Sequence, residues 1–345
     1  MTRRDNVLII YTGGTIGMCY DEVSKSLKPF DFDNIAKRVP EINQFPFGVK
    51  AISFSPVIDS ADMQPSVWIK IAEVIEENYN DYLGFVVLHG TDTMSYTASA
   101  LSFMLHNLKK PVIFTGSQLP IDTIRNDGKE NLITSLEIAG SYQNDEAIIQ
   151  EVALYFQDRL YRANRTTKIN ADQFEAFHSA NYPPLATVGI EIKFNYPFLW
   201  REGQRAFSNK FWITRELDSN IGIIKFYPGI TLQTIAHTLS NPTFKAVILE
   251  TYGSGNSPHI SGLSELIKSK VEEGIIFLNI TQCLAGSVSM EQYASGKHLL
   301  SAGVISGGDM TIEAAVVKMM YLLAVSKKRA EVELSLIESL KGEKK

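Results

Sequence analysis

Only two cysteines, Cys19 and Cys283, stand in a chain of 345 residues. That scarcity excludes a disulfide framework and a four-ligand zinc site. Long apolar runs are missing too. Val7–Ile10, behind Arg3 and Arg4, is too short for a signal-peptide core, and no stretch approaches the length of a membrane span. There is no basic excess, since 33 Lys and Arg face 38 Asp and Glu for a net charge of −5. Nucleic-acid binding needs a basic stripe, and the short runs at 327–329 and 344–345 read as solvated surface. Internal repeats and low-complexity segments are absent, and the 13 prolines and 23 glycines are scattered through a chain that is 45% hydrophobic, which excludes disorder. These absences predict a soluble, cytoplasmic chain with no membrane or nucleic-acid partner, long enough for two domains.

What is present is a rhythm of short apolar runs and helical periods. Val7–Tyr11, Gly84–Leu88, Pro111–Thr115, Ile221–Tyr227, Ala246–Thr251 and Gly274–Thr281 read as strands, several apolar on both alternating positions, as in parallel strands covered on both faces. Tyr96–Leu108, Ser261–Glu273 and Thr311–Val325 carry apolar stripes at helical spacing, the second stopped by Gly274. The fold class is therefore α/β: a larger N-terminal parallel-sheet domain of flavodoxin- or Rossmann-like kind and a smaller C-terminal α/β domain. The proline- and aromatic-rich stretch 181–209 breaks the rhythm. It sets the expected division at 1–190 for the first, catalytic domain, 191–210 for a linker and 211–345 for the second domain.

Open parallel sheets hold ligands beyond the carboxyl ends of their strands. Three loops qualify: Thr12-Gly13-Gly14-Thr15-Ile16-Gly17, His89-Gly90-Thr91-Asp92-Thr93-Met94 and Gly116-Ser117-Gln118. The first lacks both the Gly-x-Gly-x-x-Gly order of a dinucleotide site and the Gly-Lys-Ser/Thr of a phosphate loop. Its adjacent glycines allow close backbone approach and a nest of N–H groups with Thr15 on the lip, or they make a plain strand-exit turn. In the second loop, Asp92 or Thr93 is suited to cap the following helix, and His89 to sit packed and hydrogen-bonded. Asp92 and Thr91 equally suit a site with an activated nucleophile. Lys168, in Thr166-Thr167-Lys168, is a surface charge or a base, because a lysine drawn out of water is penalised for its charge.

Residues 11–17 (Tyr-Thr-Gly-Gly-Thr-Ile-Gly) and 84–94 (Gly-Phe-Val-Val-Leu-His-Gly-Thr-Asp-Thr-Met) resemble the two signatures of the bacterial-type L-asparaginase family, in its cytoplasmic type I branch. The likeness continues through Ile58-Asp59-Ser60, Phe114–Gln118, Asn164–Lys168, Tyr252–Asn256, Thr281-Gln282-Cys283 and Gly308–Thr311. It implies hydrolysis of L-asparagine to L-aspartate and ammonia through an acyl-enzyme, with no metal or organic cofactor. Thr15 matches the nucleophile, and Thr91, Asp92 and Lys168 match the triad that moves protons. Asp59 and Ser60 match the loop for the substrate's α-groups, with Thr91 and Asp92 beside them, and Ser117 the position whose backbone faces the scissile amide. Asn256 matches a contact given across an intimate dimer, so a homodimer or tetramer is implied.

Two positions depart from the family pattern. Aligned on Pro29, the tyrosine of the loop after the nucleophile falls on Leu27, and Tyr20 is the nearest phenol upstream. Residues 18–30 are expected to form a mobile lid, with Tyr20 supplying its phenol or the lid working by shape alone. Glu250 stands where some type I members carry the arginine of a regulatory site, and Cys283 nearby is expected to be a buried structural thiol. The rivals are the ammonia-supplying subunit of a tRNA-dependent amidotransferase and a nucleotide-binding module. The first carries an extra N-terminal domain, and here the chain opens at its first strand; the second lacks its fingerprint.

Overall fold

The structure is a computed structural model and describes residues 6–21, 25–29, 38–201, 210–291 and 294–345. The chain divides into two compact units, Met1–Arg215 and Glu216–Lys345.

The first unit is built on strands β1 (Asn6–Tyr11), β2 (Gly48–Ser53), β3 (Phe85–Leu88), β4 (Val112–Thr115), β5 (Val152–Phe156), β6 (Arg159–Arg162), β7 (Ala186–Val188) and β8 (Ile192–Phe194). They form one sheet in the order β8-β7-β6-β5-β4-β3-β1-β2, parallel from β2 to β5 and antiparallel from β5 to β8. Side chains of β1, β3 and β4 are buried on both faces, which explains their unbroken apolar runs. Helices α1 (Pro65–Asn78), α2 (Met94–Met104) and α3 (Gly128–Ala139) link the parallel strands. α1 opens with proline in its first turn and buries Trp68, Ile71, Ala72 and Ile75 at helical spacing. The Trp68 indole N–H reaches the Thr97 hydroxyl on α2 at 3.0 Å.

The stretch expected as a connection contributes more than a linker. β7 and β8 extend the large sheet, and Trp212–Ile213 pairs with Leu105–His106. This pairing explains why α2 stops at Met104 instead of running to Leu108: the chain turns extended at Leu105. It also holds residues 210–215 on the first unit, where Arg215 bonds Glu73 and Glu76 on α1.

The second unit is a parallel sheet of β9 (Ile221–Lys225), β10 (Ala246–Thr251), β11 (Ile276–Thr281) and β12 (Ile305–Ser306). It carries α4 (Leu232–Leu239), α5 (Leu263–Glu272), α6 (Ala294–Ser301), α7 (Ile312–Val325) and α8 (Arg329–Ile337). The expected terminator of α5, Gly274, lies at φ +107°. Thr311 caps α7 by accepting the Ala314 N–H. Inside this unit Lys318 and Glu343, both without exposed side-chain surface, form an ion pair at 2.6 Å. Glu343 also accepts the Leu340 and Lys341 N–H groups, so the tail that follows α8 is folded around the pair. The α/β expectation, a larger sheet followed by a smaller parallel one, holds; the antiparallel edge β6–β8 is an addition to it.

Candidate active site

The order β4-β3-β1-β2 makes the boundary between β1 and β3 the place where the outgoing connections run to opposite sides, and ligands bind beyond strand ends at such a switch. Register aligns Ser53, Tyr11, Leu88 and Thr115 across that edge. The three loops expected to carry chemistry therefore leave side by side.

The adjacent glycines are required by what passes them. Gly13 (φ +145°) runs so close to Ile58 that a Cβ would sit 2.1 Å from its carbonyl oxygen. At Gly14 (φ +91°) a Cβ would sit 2.5 Å from the Gly90 nitrogen. Thr12 bolts the turn down, its N–H and its hydroxyl both reaching the Leu88 carbonyl at 3.0 Å. The Gly14 carbonyl accepts the Tyr11 hydroxyl (3.3 Å) and the Gly17 N–H (3.3 Å). Thr15 thus begins a short 3-10 turn, Thr15–Gly17, on a backbone held from three sides.

Lys168 lies on a two-residue strand, Thr167–Lys168, paired with Phe177–His178. Its Nζ donates to Thr91 Oγ1 at 2.8 Å and to Asp92 Oδ1 at 2.7 Å. The lysine side chain is 17% exposed and that of Asp92 64%, so the lysine head is sheltered while its carboxylate partner meets water. An amine in contact with a hydroxyl can exchange protons through it, and the carboxylate holds the resulting ammonium. Neither Asp92 nor Thr93 caps α2 with its side chain; the Thr93 hydroxyl instead donates to the Ser60 carbonyl at 2.6 Å. His89 is fully buried, with Nδ1 2.7 Å from the Gly90 carbonyl, and burial pushes its imidazole down to about 4.

Asp59 Oδ1 accepts the Ala61 N–H at 2.9 Å and caps the turn that buries Ser60. Ser60 packs on Gly90, where a Cβ would fall 2.6 Å from its Oγ. Ser117 is buried on the loop after β4. The next residue, Gln118, has a contact that sequence reasoning did not assign: its Oε1 lies 3.3 Å from Thr91 Oγ1 and its Nε2 donates to the Gln173 carbonyl at 3.1 Å. The motif Gly116-Ser117-Gln118 was the available signal. Asn256 belongs to the second unit, in a turn closed by Tyr252 N–H to Asn256 carbonyl (2.9 Å) and Asn256 N–H to Tyr252 carbonyl (2.8 Å).

The segment expected as a lid contains a hairpin, Met18–Asp21 against Ser26–Pro29, whose register sets Tyr20 opposite Leu27. Residues 22–24 and 30 of that segment lie outside the described residues. Glu250 sits on β10 with Lys225 Nζ 3.7 Å away. Cys283 is exposed, not a buried structural thiol, because it follows the end of β11 on a turn where its N–H meets the Thr281 hydroxyl. Among the described residues there is no cluster of metal-ligating side chains and no helix long and apolar enough to cross a membrane.

The model for the N-terminal asparaginase domain matches residues 6–199, and that for the glutaminase/asparaginase C-terminal domain matches residues 220–334. L-asparaginase 1 of Escherichia coli K12 is 42% identical over 344 residues, 99% of this chain and 98% of that protein. The solved L-asparaginase I of Vibrio cholerae matches the fold with a TM-score of 0.87 at 42% identity, covering 99% of both chains. More distant is one subunit of the glutamyl-tRNA(Gln) amidotransferase of Pyrococcus horikoshii, 34% identical over 98% of this chain and 76% of its own length. With matches of this extent in both sequence and backbone, the chain belongs to the asparaginase family.

Proposed function

We propose that this protein hydrolyses the side-chain amide of L-asparagine, releasing ammonia and L-aspartate. The observation that carries the reading is Lys168, held between the Thr91 hydroxyl and the Asp92 carboxylate on the edge that presents the Gly13–Gly14 turn and Thr15. Thr15 Oγ attacks the amide carbon as its proton passes to the Thr91–Lys168 relay. The N–H groups around Gly14 and Thr91 stabilise the oxyanion of the tetrahedral intermediate. Collapse returns the proton to the leaving nitrogen, ammonia departs, and a Thr15 ester remains. Water then attacks that ester, again giving its proton to the relay, which returns it to the Thr15 oxygen as the ester bond breaks and L-aspartate leaves.

Asp59 and Ser60 hold the α-carboxylate and α-amino groups, Asp92 assists with the amino group, and the Ser117 backbone faces the amide. The active unit is a cytoplasmic homodimer or tetramer to which Asn256 contributes across the dimer. Light scattering of the pure protein reads that assembly.

Incubation with L-asparagine, L-glutamine and ATP, following ammonia and ADP, tests the reading. Ammonia from L-asparagine without ATP or tRNA is expected. No release from L-asparagine overturns the proposal, and release that requires ATP, tRNA and a partner protein points to the amidotransferase reading.

A further inference from the structure

The loop after β4 is held from behind by α3. Asp127, at the start of that helix and nine-tenths buried, accepts the Gln118 N–H through Oδ1 (3.1 Å) and Oδ2 (3.0 Å) and the Leu119 N–H through Oδ1 (3.2 Å). Asn131, one turn on and 1% exposed, donates Nδ2 to the Gly116 carbonyl at 3.0 Å, with Asp127 Oδ2 3.4 Å away. Its Oδ1 accepts the Gln157 N–H at 2.9 Å. Gly116 supplies only an acceptor and Gln157 only a donor, so the Asn131 amide can be oriented in one way.

A trans peptide points its C=O and its N–H in opposite directions. Asn131 draws the Gly116 carbonyl toward α3, which turns the Ser117 N–H away from the helix. Asp127 draws the Gln118 N–H toward α3, which turns the Ser117 carbonyl away in the same sense. Among the described residues no donor takes that carbonyl. The Ser117 side chain faces the helix: a Cβ on Gly128 would lie 3.1 Å from Ser117 Cβ, and the Ser117 hydroxyl donates to the Leu119 carbonyl at 2.5 Å. What Ser117 offers on its other side is main chain, and its neighbour Gln118 reaches Thr91 there.

We propose that Asp127 and Asn131 are positioning residues that aim the Ser117 carbonyl at the side-chain nitrogen of the substrate, and so set the preference for an amide over a carboxylate. The inference rests on the asparaginase reading above. A carbonyl oxygen accepts an amide N–H and repels a carboxylate oxygen, so a correctly aimed Ser117 carbonyl favours L-asparagine and disfavours retained L-aspartate.

The test uses the full chain carrying Thr15→Ala, so that L-asparagine is not consumed. Calorimetry measures L-asparagine and L-aspartate binding with Asp127, Asp127→Asn and Asp127→Ala, and crystal structures of the same proteins give the direction of the Ser117–Gln118 peptide. In Asp127→Ala the asparagine-to-aspartate affinity ratio is expected to fall about tenfold, the worth of one well-made hydrogen bond. Asp127→Asn keeps Oδ1 for both amides and loses Oδ2, so a fall of about threefold is expected, and this variant carries the test if Asp127→Ala does not fold. A parallel loss of both ligands, or an unchanged ratio, overturns the inference. If the Thr15→Ala protein binds neither amino acid, the asparaginase reading fails. The positioning claim is then judged on the peptide: a Ser117 carbonyl that keeps its direction in the variants overturns it, and one that turns sustains it.

Discussion

Among the lysine–carboxylate pairs of nearly equal length in this chain, two behave as opposites. Lys168 and Asp92 meet at 2.7 Å with the carboxylate open to water and a hydroxyl on the same lysine nitrogen. Lys318 and Glu343 meet at 2.6 Å with no exposed side-chain surface, and the ammonium's other acceptors include the Glu338 carbonyl at 2.5 Å. Burial pulls Lys318 below its ordinary value, and Glu343 opposes that pull. The first pair has a hydroxyl, Thr91, through which a proton can pass; in the second, backbone carbonyls hold the ammonium and backbone N–H groups hold the carboxylate. Length of contact does not separate chemistry from structure here. Surroundings do.

Breaking the open pair should produce the largest effect on rate and almost none on folding. Lys168→Met is expected to lower kcat for L-asparagine by several powers of ten, as is Thr15→Ala. The unfolding midpoint should barely move, because a pair with so exposed a partner contributes about 0–1 kcal/mol. Steady-state ammonia release beside urea unfolding checks both halves, and a Lys168→Met protein that no longer binds L-aspartate would make Lys168 a binding residue instead.

Breaking the sealed pair should do the reverse. Glu343→Gln leaves a buried ammonium without its charge partner and is expected to cost about 3–5 kcal/mol. Lys318→Met added to Glu343→Gln should recover most of that loss, since a glutamine oxygen in the place of Oε2 still accepts both tail amides. Denaturant unfolding of the single and double variants reads the recovery, and equal stabilities would show that the charge pair itself is irrelevant.

His89 sharpens the contrast by being buried without any charge partner in contact. Its folded value of about 4 lies below the ordinary 6.5, so the fold favours the neutral ring. The stabilisation is complete above 6.5 and is lost as pH falls from there toward 4, amounting to roughly 3 kcal/mol. His89→Leu should flatten that part of the stability-against-pH curve, measured by denaturant midpoints between pH 7 and pH 4. A curve of unchanged slope would reject the assignment.

The smallest effect expected is at Tyr20. Tyr20→Phe should slow turnover about tenfold if the phenol serves Thr15. Activity within about twofold of the parent would leave the Tyr20–Leu27 hairpin acting by shape.

The parts of this molecule that could be read from sequence are those fixed by neighbours in the chain. Buried parallel strands announce themselves because both faces are apolar, and the glycines at 13 and 14 because few other residues tolerate those angles. The antiparallel strands β7 and β8 were hidden in a proline-rich stretch: their half-exposed side chains carry no apolar run, and pairing partners distant in sequence define them. Taken by itself Lys168 reads as a surface charge or a base, and only the family resemblance groups it with Thr91 and Asp92; physically it is the pairing of Thr167–Lys168 with Phe177–His178, together with contacts across 76 and 77 residues, that brings it there. Gln118 and Asp127 escaped for the same reason, since a polar side chain in a loop gives no hint of which backbone it will hold.

The sealed pair also responds to heat in its own way. Water's hold on ions weakens on warming, so withdrawing Lys318 and Glu343 from solvent becomes less costly as temperature rises, whereas the gain from apolar contacts levels off. An apolar replacement of the pair should therefore help the second unit most in the cold and lose its advantage as the sample is heated. Charge buried beneath the tail makes that unit's endurance a property of warm water as much as of packing.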